Sequence, residues 1–257
     1  MLLAVDIGNS NIVVGVFDGD ELRASWRMAT DVRRHADEYA AMNMSLLAHH
    51  QVAMGDIQSG IISSVVPPLT PAFEQLLQRY FQVTPIVVGA GTKTGIRILY
   101  ENPRQVGADR VAHAVAAYRL YGGPVIVVDF GTATVFDAID ENGDYLGGAI
   151  APGIALASEA LFSQTSLPRV EIERPKQAIG RNTIVSMQAG LFFGYVGLIE
   201  GLVGRFKKEL GGSAKVVATG GMASRIANET AVVDIVDPDL VLVGLRLLFD
   251  LNQKEAA

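Results

Sequence analysis

The feature that most limits what this chain can fold into is a repeat. Leu2-Leu3-Ala4-Val5-Asp6-Ile7 and Ile12-Val13-Val14-Gly15-Val16-Phe17 are apolar runs of strand length on either side of Gly8-Asn9-Ser10-Asn11. Asp18-Gly19 then marks a hairpin turn into a third strand, Glu21 to Met28. The order returns at Val125-Ile126-Val127-Val128-Asp129-Phe130-Gly131-Thr132-Ala133-Thr134-Val135-Phe136, with a turn at Asp140 to Asp144 and a third strand from Tyr145. Laying Asp129 on Asp6 puts Gly131 on Gly8, Thr132 on Asn9, Ala133 on Ser10 and Thr134 on Asn11. A duplicated strand–turn–strand–turn–strand unit predicts two similar α/β domains, roughly residues 1–122 and 123–257, with a soft boundary because the terminal helix is free to cross back onto the first domain.

The turns carry chemistry. Glycine lets a ligand approach the backbone, while Asn9, Ser10 and Asn11 turn amides and a hydroxyl toward it. Asp6 beside such a turn suits a magnesium ion with phosphate oxygens, the carboxylate holding the metal or its waters and the turn amides holding the anion. A single Asp-x-Gly-Asn turn also occurs merely to join strands. Two copies, each opening a half of the chain, predict a triphosphate held from opposite sides across an interdomain cleft.

Between the copies, helical spacing covers Asp37 to His50 and Leu69 to Phe81, and short strands cover Gly60 to Val66 and Pro85 to Val88. Gly89-Ala90-Gly91-Thr92-Lys93-Thr94-Gly95 is similar to a phosphate loop, but Thr92 stands where a P-loop needs glycine before the lysine. Gly107-Ala108-Asp109-Arg110 opens a helical stretch, Val111 to Tyr121, so Asp109 falls at its first turn. An acid there serves equally as a cap matched to the helix dipole. After the second copy come a helix near Ile154 to Phe162, a weakly periodic Ser163 to Gln177 with a short strand, and a long helix capped at Asn182 or Thr183 that runs to about Lys208. Gly190, Gly194, Gly197, Gly201 and Gly204 give that helix a bare face suited to close packing on another helix, within the domain or across a dimer. Arg181 and Glu200 bound its uncharged run, which contains Asn182, Thr183, Ser186 and Gln188, so it reads as a soluble helix and not a membrane span. Lys215 to Ala223 reads as strand, glycine turn and helix, Val232 to Val236 as a last strand, and Pro238 to Phe249 as a terminal helix before a frayed tail, Asn252 to Ala257.

Composition excludes several functions. A net charge of −6 with no run of Lys or Arg argues against nucleic acid or an anionic membrane as partner. With no cysteine there is no disulfide, thiol catalysis or cysteine metal site. His35, His49, His50 and His113 lack ligand spacing for zinc. The chain reaches Asp6 too early to hold a signal-peptide core, so cytoplasm is the expected location.

Four motifs in order make the chain resemble the type III pantothenate kinases, members of the actin-like, ribonuclease-H-like ATPase superfamily. Asp6 to Asn11 is similar to the first phosphate motif, Gly107 to Arg110 to the pantothenate motif, Asp129 to Thr134 to the second phosphate motif, and Ala218-Thr219-Gly220-Gly221 to the adenosine motif. The resemblance implies two duplicated ribonuclease-H-like domains and ATP-dependent phosphorylation of pantothenate. It implies that ATP, with magnesium at Asp6, is bound by Asp6, Ile7, Gly8, Asn9, Ser10, Asn11, Ile12, Val13, Thr132, Gly220 and Gly221. By the same resemblance Asp109 is the proton acceptor, and Tyr100, Gly107, Ala108, Asp109, Arg110 and Thr183 bind pantothenate, Thr183 coming from the neighbouring subunit of a homodimer. Asp129 holds a potassium or ammonium ion in that reading. Such an ion stands in for a lysine that some relatives carry just past the first turn, where this chain has Val13. From the residues alone, the same cleft could serve another small acceptor, or a nucleotide-binding regulator; Gly107 to Arg110 is what separates these readings.

Overall fold

The computed structural model describes residues 1–253. In chain order the strands are β1 (Leu2–Ile7), β2 (Asn11–Asp18), β3 (Glu21–Ala29), β4 (Ser59–Ser64), β5 (Ile86–Val87), β6 (Val125–Phe130), β7 (Ala133–Ile139), β8 (Tyr145–Pro152), β9 (Lys215–Gly220) and β10 (Ile235–Val236). The α-helices are α1 (Ala36–His49), α2 (Thr70–Leu76), α3 (Ala108–Tyr121), α4 (Ile154–Gln164), α5 (Thr183–Glu209), α6 (Ala223–Ala227) and α7 (Leu240–Gln253). The strands form two five-stranded sheets, ordered β3-β2-β1-β4-β5 and β10-β9-β6-β7-β8. Read outward from β1 and from β6, the sheets are the same. Each central strand pairs antiparallel with the strand after it and parallel with a later one, and each hairpin carries its third strand antiparallel on the outside. The repeat seen in the sequence is thus a repeat of topology.

Position in the sheet explains the strand sequences. β1 and β6 have neighbours on both sides and are covered on both faces, so all their residues but Asp6 and Asp129 are buried and apolar. β3, at an edge, alternates instead: Ala24, Trp26 and Met28 turn inward between exposed Glu21, Arg23, Ser25 and Arg27. In the first unit Leu3, Val5, Ile7 and Ile62 pack under α1 and α2 with Tyr39 and Phe73. The opposite face carries Asp6 and Ser63 toward the end of the sheet, and α7 packs against β1, β2 and β4. In the second unit Ile126, Val128, Val216 and Phe136 form a core with Phe192, Ile199 and Val203 of α5.

The chain divides into one unit of Met1–Ala116 with the chain from Asp239, and another of Ala117–Pro238. This differs from a division at residue 122 in two places. The cut falls inside α3, and α7 belongs with the first sheet because its buried Leu242, Leu245 and Leu248 complete that unit. Other boundaries shift locally. α2 ends in a wider π turn, Leu77–Phe81, closed by Gln82 at φ 59°. Residues 166–180 contain no strand, and β10 has only two residues. Asn252 of the expected frayed tail lies in α7; residues 254–257 are outside the described residues.

α5, with 27 residues, is the one helix among the described residues long and apolar enough to span a bilayer. Its apolar stripe, Leu191, Phe192, Tyr195, Val196, Ile199 and Val203, is buried in the second core, while Glu200 and Arg205 are exposed, as in a core helix. The glycine face finds no helix among the described residues: a Cβ on Gly190, Gly194, Gly197, Gly201 or Gly204 would meet nothing within 4 Å.

Gly244 is the opposite case. A Cβ there would strike the carbonyl of Ala112, so α7 and α3 touch backbone to backbone. Gly244→Ala is expected to cost about 1–3 kcal/mol by overpacking. In thermal unfolding this appears as a melting point lowered by several degrees.

Candidate active site

The first turn is closed by its own backbone and braced from β3. Gly8 N–H donates to Asn11 O at 3.0 Å, and Thr30 N–H to Ser10 O at 3.1 Å. Thr30 Oγ1 donates to Gly8 O at 2.6 Å. Asn9, Ser10 and Asn11 are exposed, whereas the side chains of Ile7 and Ile12 are fully buried. Of the expected phosphate-turn residues, those two therefore have only main-chain groups to offer. Val13 is half-buried opposite Asp6. Thr30 escaped the sequence reading, although the hairpin register that pairs Asn11 with Ala29 brings it beside the turn.

Gly107 to Arg110 lies in the same unit and connects to this turn through the exit of β4. Val65 N–H donates to Ile7 O at 3.0 Å, and Val65 Cγ1 lies 3.4 Å from where a Cβ on Gly107 would stand. Asp109 is in the first turn of α3, where its Oδ1 accepts from Arg110 N–H at 2.8 Å. That same Oδ1 rests over Gly107 so closely that a Cβ on Gly107 would strike it. A side chain at Gly107 would displace this carboxylate, with no positive φ involved. Arg110 is buried to 8% exposure.

A cavity of about 750 Å³ opens beside this motif, lined by Ser64, Gly89–Thr92, Ile96, Val106, Gly107 and Ala108 among others. Its Gly/Thr-rich wall is the stretch similar to a phosphate loop, and the amides of Gly89, Thr92 and Lys93 are already engaged. Gly89 N–H donates to Thr92 Oγ1 at 3.0 Å, and Thr92 N–H to Gly89 O at 3.1 Å. The side chain of Asn252 takes both the N–H and the carbonyl of Lys93, each at 2.9 Å. The loop is a wall pinned by the end of α7, a pairing 159 residues apart that no local pattern announces. Tyr100 is half-buried and outside the cavity lining.

In the second unit the strand pairing corrects the alignment of the two copies. Asp6 pairs with Val13, but Asp129 pairs with Val135, so the second turn is one residue shorter. Gly131 N–H accordingly bonds Ala133 O at 3.1 Å, where Gly8 bonds Asn11. Thr134 thus matches Ile12 and not Asn11. Its side chain is fully buried, and its Oγ1 is hydrogen-bonded to Tyr195 Oη. Thr132 is exposed, with its carbonyl accepting from Gly153 N–H at 3.1 Å.

The glycine turn after β9 meets Asp129 directly. Asp129 and Thr219 are register partners, and a Cβ on Gly220 would lie 2.6 Å from Asp129 Oδ1. Gly220 has φ +89°, so both backbone and neighbour select glycine. Gly221 is exposed and leads into α6, whose five residues make it shorter than the helix start expected there. Tyr195 lies near enough to Asp129 to feel its charge: burial first, and that carboxylate in addition, raise the Tyr195 phenol above its usual value, against hydrogen bonds to Thr134 and Ile154 that lower it. Thr183 opens α5 below its cap Asn182, whose Oδ1 accepts from Val185 N–H at 2.9 Å. It lines a separate cavity of about 690 Å³ with Leu161, Arg181 and Met187.

Comparison with known proteins gives one consistent result. A family model described as type III pantothenate kinase matches residues 2–205. A type III pantothenate kinase of Moorella thermoacetica is 52% identical over 254 residues, 98% of this chain and 100% of that protein. One from Dehalococcoides mccartyi (strain CBDB1) is 51% identical over 253 residues, 98% of this chain and 96% of that protein. Among solved structures, a Baf family protein from Campylobacter jejuni that carries the name of a transcriptional activator superposes with TM-score 0.62 at 23% identity, covering 96% of this chain and 97% of that one. An activator of 2-hydroxyisocaproyl-CoA dehydratase from Clostridium difficile, solved with bound ADPNP, superposes with TM-score 0.56 at 14% identity over 97% and 94%. These two likenesses bear out the fold: an α/β chain with two five-stranded mixed sheets.

The link between Asp129 and Tyr195 gives a direct test. Asp129→Asn removes a negative charge that disfavours the phenolate, so the Tyr195 titration is expected to move down toward the ordinary tyrosine value. Ultraviolet difference titration, with Tyr195→Phe identifying the signal, reads the shift.

Proposed function

This chain belongs to the type III pantothenate kinase family, and we propose how its residues carry out that family's reaction, transfer of a phosphoryl group from ATP to the primary hydroxyl of pantothenate in the first step of coenzyme A biosynthesis. Phosphoryl transfer passes through a loose transition state, so aligning the hydroxyl and neutralising oxygen charge supply most of the catalysis. Asp109 orients the pantothenate hydroxyl and accepts its proton late, when bond formation has made it acidic. What supports this role is the Asp109 carboxylate lying over Gly107, whose neighbours Val106 and Ala108 line the 750 Å³ cavity with it, in the unit that also bears the Asp6 turn.

The cavity beside Ala108 takes the acceptor, and Arg110 supplies positive charge to the pantothenate carboxylate or to the phosphoryl group in transfer. The turn at Gly8 to Asn11 and Thr132 bind ATP phosphates; Gly220 and Gly221 bind the adenosine side. No three His, Asp or Glu side chains gather as a metal cluster among the described residues. Magnesium prefers mixed shells of carboxylate, phosphate oxygens and water, and Asp6, beside the turn at Gly8 to Asn11, supplies a carboxylate of that kind. Asp6 holds that ion, which when bound neutralises phosphate charge. Asp129 holds a monovalent cation, potassium or ammonium. Thr183 and the open glycine face of α5 are offered to a second copy of the chain, which makes the working form a homodimer, and the enzyme acts in the cytoplasm.

Asp109→Asn is expected to lower turnover about 10²–10⁴-fold while nucleotide binding and melting point hold. Gly107→Ala, which displaces the same carboxylate without straining the backbone, is expected to lower kcat more than it raises the KM for pantothenate. Full turnover in Asp109→Asn would remove the proton-acceptor role. A monomeric mass at assay concentration would remove the shared site, and equal turnover in sodium and potassium the monovalent ion.

A further inference from the structure

Ser63 is the one polar side chain in this region that the reaction leaves without employment. It is completely buried in β4, and its Oγ has no hydrogen-bond partner. Native interiors rarely leave a hydroxyl in that state, and such a group usually has its partner supplied by water or a ligand. Its surroundings say which. Ser63 is the register partner of Asp6 on the adjacent parallel strand, so both side chains leave the same face of the sheet. Its neighbours toward the end of the strand face the reaction: Ser64 lines the acceptor cavity and Val65 touches the Gly107 position.

The second unit repeats the arrangement. Thr219 stands beside Asp129 in the corresponding register of β9 and β6, so the carboxylate at the end of each central strand has a buried hydroxyl residue next to it. A hydroxyl retained beside the carboxylate in both halves is unlike a packing residue, for which alanine or valine fits a buried parallel strand better.

We propose that Ser63 is a positioning residue of the metal–nucleotide site, its hydroxyl taking as hydrogen-bond partner a water of the hydration shell held by Asp6. The inference rests on the assignment of magnesium to Asp6. Magnesium dehydrates reluctantly and keeps several waters, each of which needs acceptors or donors in the protein. Ser63 then holds one such water from the side of the sheet, fixing the ion relative to the carboxylate.

The test separates this from a structural role. In Ser63→Ala the ligand-free protein is expected to melt at the same temperature or higher, because an unsatisfied buried group is removed. Binding of ADP without metal is unchanged, while the increase in ADP affinity on adding magnesium falls about five- to thirty-fold, the loss of one charge-assisted contact. Calorimetric titration of ADP with and without magnesium reads both. A lowered melting point with the magnesium increment intact would show that Ser63 bonds a structural water and overturn the proposal. Asp6→Asn is the control on the premise: if it too keeps the increment, the Asp6 assignment fails, and if it alone loses the increment, Ser63 is not part of the site.

Discussion

Everything in this molecule depends on a strand that must be apolar on both faces and still end in a carboxylate. β1 and β6 are flanked on both sides and covered above and below, so a charge in their middle would be desolvated without compensation. Only near the end of such a strand can an aspartate reach polar surroundings. Asp6 and Asp129 occupy that place, one residue before the last in each strand. The sheet then determines what else can reach them: the antiparallel partner supplies the turn, and the parallel partner supplies a second chain end. In the first unit that end is Ser63 to Val65, leading to Gly107; in the second it is Thr219 and Gly220.

The two copies share this logic and differ in how the turn is held. The first is longer by a residue, and Thr30 braces it through two hydrogen bonds. The second is shorter and is propped by the bare backbone of Gly153 against the carbonyls of Gly131 and Thr132. An exposed three-residue stretch of amide and hydroxyl side chains suits anion contacts. A tight turn over an aspartate packed against Gly220 suits a cation or a single contact through Thr132. The two sheets share one topology, and a one-residue difference gives their turns different shapes and different supports.

The sheets were legible in the sequence because their central strands have no polar face to confuse the pattern, and the repeat doubled the signal. Register was not, because periodicity along one strand says nothing about its partner. The ungapped alignment therefore put Thr134 in the turn, whereas pairing buries it against Tyr195. The same gap hid Thr30, Ser63 and Asn252, each of which acts across strands or across 159 residues of chain. The place of α7 was half legible: the sequence leaves the terminal helix free to cross back onto the first domain, as it does, but an amphipathic helix shows that it has a partner, not which sheet the partner belongs to.

Glycine makes the point most sharply. In sequence, Gly107, Gly220 and Gly190 look alike, yet each would respond differently to a methyl group. At Gly107 it would displace the Asp109 carboxylate; at Gly220 it would meet Asp129 in a backbone conformation that other residues avoid; at Gly190 it would meet nothing. The first two glycines are therefore part of the geometry of charged groups, but at Gly220 a side chain would also strain the backbone and strike the Phe130 carbonyl. On α5 the absence of side chains is paid for by helix propensity, roughly 1 kcal/mol per glycine relative to alanine. Five such positions on one face, all open among the described residues, are a cost that the packing of those residues does not explain. That cost is the physical argument for looking beyond one copy of the chain for what the face meets.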